Sequence, residues 1–277
     1  MTNNGDNSSK INSNPARVAW RSVAFPAEHG GWAWLIGPIL LGLLVVPSAA
    51  GVFLVFIDVA AYLARTPIKI IWKDSRRGRS YARTAAAYKV LFLYAMVAVF
   101  SLIAVLILIG PVPLVPLFLV LPLTAVVLYY DLLGDGRELL AELLAPVALS
   151  AVVAAMALAH GWDWPHTLAI WTIPLMISVP AVLFIRARLR MDREQASQRG
   201  LTLVAHGFAA LLAVALATAN LIPTLAAVGI FILLGRALYG LTNFRRRVAV
   251  KILGWSEVVF SLLAIVLSAV GYWAMGV

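Results

Sequence analysis

The chain has 277 residues, of which 62% are hydrophobic and only 12% are charged, and its mean hydropathy is +0.94. Soluble domains carry about 25% charged residues, so this composition excludes a soluble globular enzyme and indicates a membrane-embedded chain. The formal net charge is +10, yet the basic residues lie between apolar spans, which argues against a nucleic-acid partner; the absence of cysteine removes disulfides, thiolate metal sites and a cysteine nucleophile.

Residues 1–22 begin MTNNGDNSSKINSN, polar and poor in large apolar groups. They read as a disordered cytoplasmic tail without the apolar core of a cleaved signal peptide. Residues 23–277 read as a single all-α transmembrane domain. Nine apolar segments follow, near 30–47, 50–72, 83–109, 113–130, 138–159, 166–185, 200–219, 222–240 and 251–275. Each approaches the about 20 residues that cross a bilayer. Short connections at 47–51, 110–113 and 221–223 carry proline or glycine and make neighbouring helices antiparallel.

Alternating nine spans puts the N-terminal tail and the loops near 65–83, 131–137, 186–199 and 241–251 on one side. All 22 Lys and Arg fall on that side or in the adjoining helix ends, and the opposite loops, including HGWDWPH at 160–166, contain none. This positive-inside pattern predicts a multi-pass protein of the bacterial inner (plasma) membrane with its N-terminus in the cytoplasm and its C-terminus outside. His160 and His166, set among Trp162, Asp163 and Trp164, read as an interfacial loop and not as a metal site.

The stretch FPAEHGGWAWLIGP at 25–38 places Glu28 and His29 at the seam between water and lipid, where a carboxylate is costly unless held. In span 2, Asp58, Tyr62, Arg65, Lys69 and Trp72 recur at helical spacing, and Arg186, Arg190 and Arg193 form a similar stripe below span 6. Glu142 near the start of span 5, His206 in span 7 and Glu257 in span 9 add isolated polar groups. Polar faces turn away from lipid, so these stripes are expected to converge on a cytoplasm-facing cavity, with Glu142 and Glu257 as partners for the cations. Pro67 is expected to break the helix below Arg65. The loops 64–83 and 185–202 each contain one aspartate, Asp74 and Asp192, and have the same orientation. That pattern suggests a parallel duplication of a four-helix unit plus one helix, set against the plainer reading that any cytoplasmic loop is arginine-rich. Arg76, Arg77 and Arg79 read as topology determinants touching anionic lipid.

The segments EHGGWAWLIGPILLG, RARLR at 186–190 and KILGWSE at 251–257 resemble the YwiC-like family of bacterial membrane proteins, over nearly all of the chain after residue 24. A more remote resemblance is to the UbiA superfamily of intramembrane prenyltransferases. It implies a nine-helix bundle with an active site between the cytoplasmic ends of spans 2 and 6. Asp74-Ser75-Arg76-Arg77-Gly78 is similar to the end of that superfamily's first aspartate motif. Asp192-Arg193 with Leu201-Thr202-Leu203 is similar to the tail of the second, and Gly136-Arg137-Glu138-Leu139 to the opening of the fifth helix.

The departures bear on the chemistry. Ile70 and Ile71 occupy the places of the first motif's Asn and Asp, and Arg188 stands where the second motif has its upstream Asp. Two Mg²⁺ ions need clustered carboxylates, and here Asp74 and Asp192 stand among cations, so no metal site is expected. The favoured reading is a binder, or altered enzyme, on a prenyltransferase-like scaffold. Its basic pocket of Arg65, Lys69, Lys73, Arg186, Arg188, Arg190 and Arg193 would hold the phosphate of an isoprenoid or an anionic membrane lipid. Glu28, His29, Asp58, Tyr62, Glu142, His206 and Glu257 would line the cavity. The alternatives are an active prenyltransferase using Mg²⁺ through Asp74 and Asp192, with Glu28 or Glu142 as further ligands, and a transporter in which Asp58, Glu142 and Glu257 carry protons.

Overall fold

The computed structural model describes residues 20–26, 29–78 and 80–276, with the backbone alone described at His29 and Gly30. The tail before residue 20, Glu28, Arg79 and the side chain of His29 therefore lie outside the described residues. Every regular element described is helical. In chain order these are α1 (Trp20–Ala24), α2 (His29–Val45), α3 (Ala49–Arg76), α4 (Ala82–Ile109), a 3₁₀ turn (Val112–Leu114), α5 (Val115–Leu119) and α6 (Leu121–Leu133). The second half holds α7 (Leu139–Ala159), α8 (Trp164–Asp192), α9 (Arg199–Thr218), α10 (Thr224–Gly240) and α11 (Val250–Ala274). Seven segments are long and apolar enough to cross a membrane, and two shorter apolar helices, Gly31–Val45 and Thr224–Gly240, accompany them. The chain is accordingly a multi-pass membrane protein.

Burial sorts the helices by what surrounds them. Residues Ala151 to Ala157 of α7 are all inaccessible, with α2, α3, α6 and α8 packed around that helix. Its small side chains let five backbones approach closely, which is how membrane helices gain dispersion contact without a hydrophobic drive. α4 is the opposite case: Phe92, Met96, Phe100 and Ile107 on it are all exposed, as suits a helix facing acyl chains. At the α10–α11 crossing a Cβ on Gly229 would come to 3.0 Å from the Ala264 Cα, so a larger residue there would push the two helices apart by a few tenths of an ångström. The indole Nε1 of Trp273 donates to the carbonyl of Leu44 at 2.8 Å and ties the end of α11 to the end of α2.

Three details differ from the sequence-based expectation. Pro67 does not break α3, which runs on to Arg76. Proline removes one amide donor, but Leu63, Pro67 and Asp74 are all buried, and packing on both sides of the proline keeps the helix continuous. The two arginine-rich loops are shorter than read, because α3 and α8 carry their cations into their own last turns, where these oppose the helix dipole. The fourth apolar segment is interrupted at Val120, with Pro116 and Pro122 each in the first turn of a separate helix.

Candidate functional site

The best-formed polar site lies where α3 meets the turn between α6 and α7. Asp131, in the last turn of α6, is 2% exposed. Its carboxylate accepts from Arg65 Nε at 2.7 Å, from the Arg65 Nη2, and from Lys69 Nζ at 3.3 Å. Arg65 and Lys69 are one turn apart on α3, so they reach one carboxylate together. The Arg65 guanidinium also lies 5.7 Å from the Tyr62 ring centroid. α6 ends at Gly134, which adopts φ 95°, a left-handed conformation that glycine takes without strain. Gly136 then packs directly on the Asp131 carboxylate, where a side chain would collide.

Beside this turn is a cavity of about 290 Å³ walled by Lys69, Lys73 and Arg137, by the acids Asp131, Asp135 and Glu138, and by Gly134 and Gly136. Among the described residues, the amides of Gly136 and Arg137 donate to no backbone carbonyl. The far side of the turn is held by Arg186 on α8. Its Nη1 donates to the Arg137 carbonyl at 2.8 Å and to Glu142 Oε2 at 2.6 Å. Cations from α3 and α8 thus flank one glycine-bearing turn.

The other expected residues do not join them. Asp74 is buried and accepts from Arg83 at 2.5 and 3.1 Å and from Thr84 Oγ1 at 2.7 Å, which pins α3 to α4. Asp192 accepts from Arg188 Nε at 3.2 Å and Arg245 Nε at 3.1 Å. Arg188, 5% exposed, also donates to the carbonyls of Gly240 (2.9 Å) and Arg246. It clamps α8 to the end of α10 and the loop after it. Arg190 and Arg193 are exposed on the α8 end. Asp58 is buried in α3 with its Oδ2 unpartnered among the described residues. The single cavity into which all the stripes were expected to converge is therefore divided into separate ion-paired groups. No three His, Asp or Glu among the described residues come together as a metal-binding group.

A further group lies between α9, α10 and α11. Glu257 pairs with Arg236, whose guanidinium sits 4.4 Å from the Phe184 ring centroid and 5.3 Å from that of Phe260. His206 Nδ1 is 2.8 Å from the Thr202 carbonyl, and its ring lies edge-on to Phe184 at 6.3 Å. Glu257 is thus a buried partner for a cation, as expected, but the cation is Arg236. The loop at 160–166 is held locally: Asp163 caps α8, accepting from the His166 amide at 3.1 Å with its ring Nδ1 at 2.6 Å. These two donors hold the Asp163 carboxyl below the usual carboxylate range.

Sequence reasoning passed over Asp131 and Arg236. Both carried a signal, since a lone acid at the end of the span LPLTAVVLYYD and a lone arginine within LLGRALYG each demand a partner in an apolar setting. No curated protein and no solved structure matches the chain. Residues 25–157, however, match the family model described as YwiC-like protein. That match runs from the approach to α2 almost to the end of α7 and contains Arg65, Lys69, Lys73, Asp131, Gly136 and Glu142; through this segment the chain is similar to the YwiC-like family.

Proposed function

We propose that this protein binds the phosphate group of an isoprenoid phosphate or anionic lipid at the α3–α6–α7 cavity, on the cytoplasmic side of the inner membrane, without a two-Mg²⁺ site. In this reading both shorter apolar helices also cross the bilayer. That gives nine crossings in a UbiA prenyltransferase-like arrangement with the N-terminus in the cytoplasm and the C-terminus outside. The observation that carries it is the composition of the cavity. Lys69 and Lys73, one turn apart on α3, face a glycine-bearing turn whose Gly136 and Arg137 amides have no described carbonyl partner. Lysines and oriented amides are the donors that phosphate oxygens take.

Arg65 and Lys69 share one carboxylate, Asp131, and Asp135 and Glu138 also line the cavity, so the reading rests on the placement of the lysines and amides and not on a net positive charge. The transferase alternative needs Asp74 and Asp192 as metal ligands, but each is already engaged by arginine on a different element. A metal-bridged diphosphate would have to displace those pairs.

The test is ligand-induced thermal stabilisation of the detergent-purified protein, with farnesyl phosphate as the probe. The melting temperature is expected to rise with ligand concentration, as mass action requires, and equally with and without EDTA. Lys73→Ala is expected to weaken the apparent affinity about tenfold, the scale of a lost charged hydrogen bond. Arg186→Ala should weaken it less, because its hydrogen bonds go to Arg137 and Glu142. Asp74→Asn and Asp192→Asn should leave the affinity unchanged. Stabilisation that requires Mg²⁺ and is lost in both aspartate variants would replace this reading with the active transferase.

A further inference from the structure

A second cavity, of about 110 Å³, lies among α2, α7, α8 and α11. Three of its wall residues are helix-interior prolines from three different helices: Pro38, Pro146 and Pro174. Each such proline removes the amide that would otherwise bond the carbonyl four residues earlier, here Trp34, Glu142 and Ile170. Ser178, which also lines the cavity, donates its hydroxyl to the Pro174 carbonyl at 2.6 Å. That hydroxyl proton is thereby unavailable to the cavity.

Glu257 completes the wall. It is 6% exposed, one of its oxygens is taken by Arg236, and the other, Oε2, is buried without a hydrogen-bond partner among the described residues. Arg236, whose Nε and Nη2 are also buried without a hydrogen-bond partner among the described residues, is held between Phe184 and Phe260 and is not part of the wall. The wall also carries the Ser261 hydroxyl and the Trp34 indole, and Glu257 Oε2 is the buried acceptor in it that has no partner among the described residues. A buried carboxylate oxygen left without a donor costs more than an ordinary hydrogen bond returns, so this oxygen is open to a donor carried by a molecule in the cavity.

The geometry points to a binding site, within the membrane, for a neutral, hydroxyl-headed apolar molecule whose O–H donates to Glu257 Oε2. Charge selects the hydroxyl over an amine. Glu257 and Arg236 already balance one another, so an ammonium would bring an uncompensated charge into an apolar cavity, whereas a hydroxyl needs only the one acceptor that Glu257 offers. The remaining wall is predominantly apolar, with Ile177, Val182 and Ile265 among its residues, which suits a hydrocarbon next to the hydroxyl. The cavity also has room for more than one water, each of which occupies about 30 Å³ in the liquid, so water is the competing occupant. This site uses none of the residues assigned to the phosphate, and its test is independent of that reading.

The experiment compares farnesol with farnesyl methyl ether, which keeps the chain and removes the donor. Both are titrated into the full-length protein in detergent, with melting temperature and the infrared carboxylate bands as readouts. Farnesol is expected to raise the melting temperature and to shift a carboxylate band that is absent in Glu257→Gln. The ether is expected to bind about tenfold more weakly, the scale of one hydrogen bond to a charged group. Gly254→Leu should abolish farnesol binding by filling the cavity. A Cβ at Gly254 meets no atom within 4 Å, so this variant is expected to fold with a melting temperature close to that of the unaltered protein. Equal binding of alcohol and ether, farnesol binding that survives Gly254→Leu, or a carboxylate band that farnesol does not move would each overturn the proposal. The last result would assign the cavity to water.

Discussion

Asp131 and Glu257 are both buried carboxylates held by arginine, and they are satisfied in different ways. Asp131 draws on two cations and uses both oxygens, and one of those cations, Lys69, 28% exposed, also lines an open cavity. Glu257 draws on one cation, itself only 10% exposed, and leaves an oxygen unused. The first arrangement sets Lys69 and Lys73 beside a glycine-bearing turn at an open cavity and suits an anion. The second has a balanced charge and a spare acceptor inside the apolar layer, and suits a neutral donor. Burial and stoichiometry, more than the presence of a salt bridge, decide what each site can bind.

The largest effect is expected where water can help least. Arg236→Ala would strand Glu257 and should cost about 3–5 kcal/mol, the range for removing one partner of a buried pair. The double variant Arg236→Met with Glu257→Leu should recover most of that loss, because an apolar replacement strands no charge. Unfolding in mixed micelles would measure both. A single variant as stable as the unaltered protein would show that the pair is not buried in the way described.

Asp131→Asn should cost less, about 2–3 kcal/mol, since Arg65 and Lys69 can turn partly to water. It should also tighten farnesyl phosphate binding by removing one of the three carboxylates that line the cavity. Weakened phosphate binding in this variant, with folding intact, would sever the link between the Asp131 group and the anion site.

The smallest effect is expected at the opposite end of the bundle, in the exposed Asp163–His166 pair. The folded carboxyl is held below its ordinary value of 3.8 by the His166 ring and amide. Its contribution to stability is therefore fully present above that ordinary value and is lost as the pH falls through the lower, folded value. The melting-temperature difference between the unaltered protein and Asp163→Asn should accordingly be small and constant near neutrality and shrink in strong acid. A difference that grew on acidification would mean that the carboxyl is not stabilised in its charged form.

Much of this was legible in the residues themselves. Composition alone determined the membrane class, because a chain with 12% charged residues and long apolar runs has no soluble fold open to it. Helical spacing determined that Arg65 and Lys69 share a face. What spacing could not supply was the partner. A stripe on one helix says that something must neutralise it, but the choice among Glu28, Asp131, Glu142 and Glu257 depends on which helices are neighbours. Only the tertiary structure decided that Asp131 takes Arg65 and Lys69, that Arg188 turns inward to Asp192 and the Gly240 carbonyl, and that Arg236 takes Glu257. Pro67 shows the same limit, since its local preference to break α3 was outweighed by packing on either side. The physical reason is common to all of these cases. Apolar content and periodicity are properties of one segment, whereas pairing and cavity shape are properties of the gaps between segments, and those gaps exist only once the helices have packed.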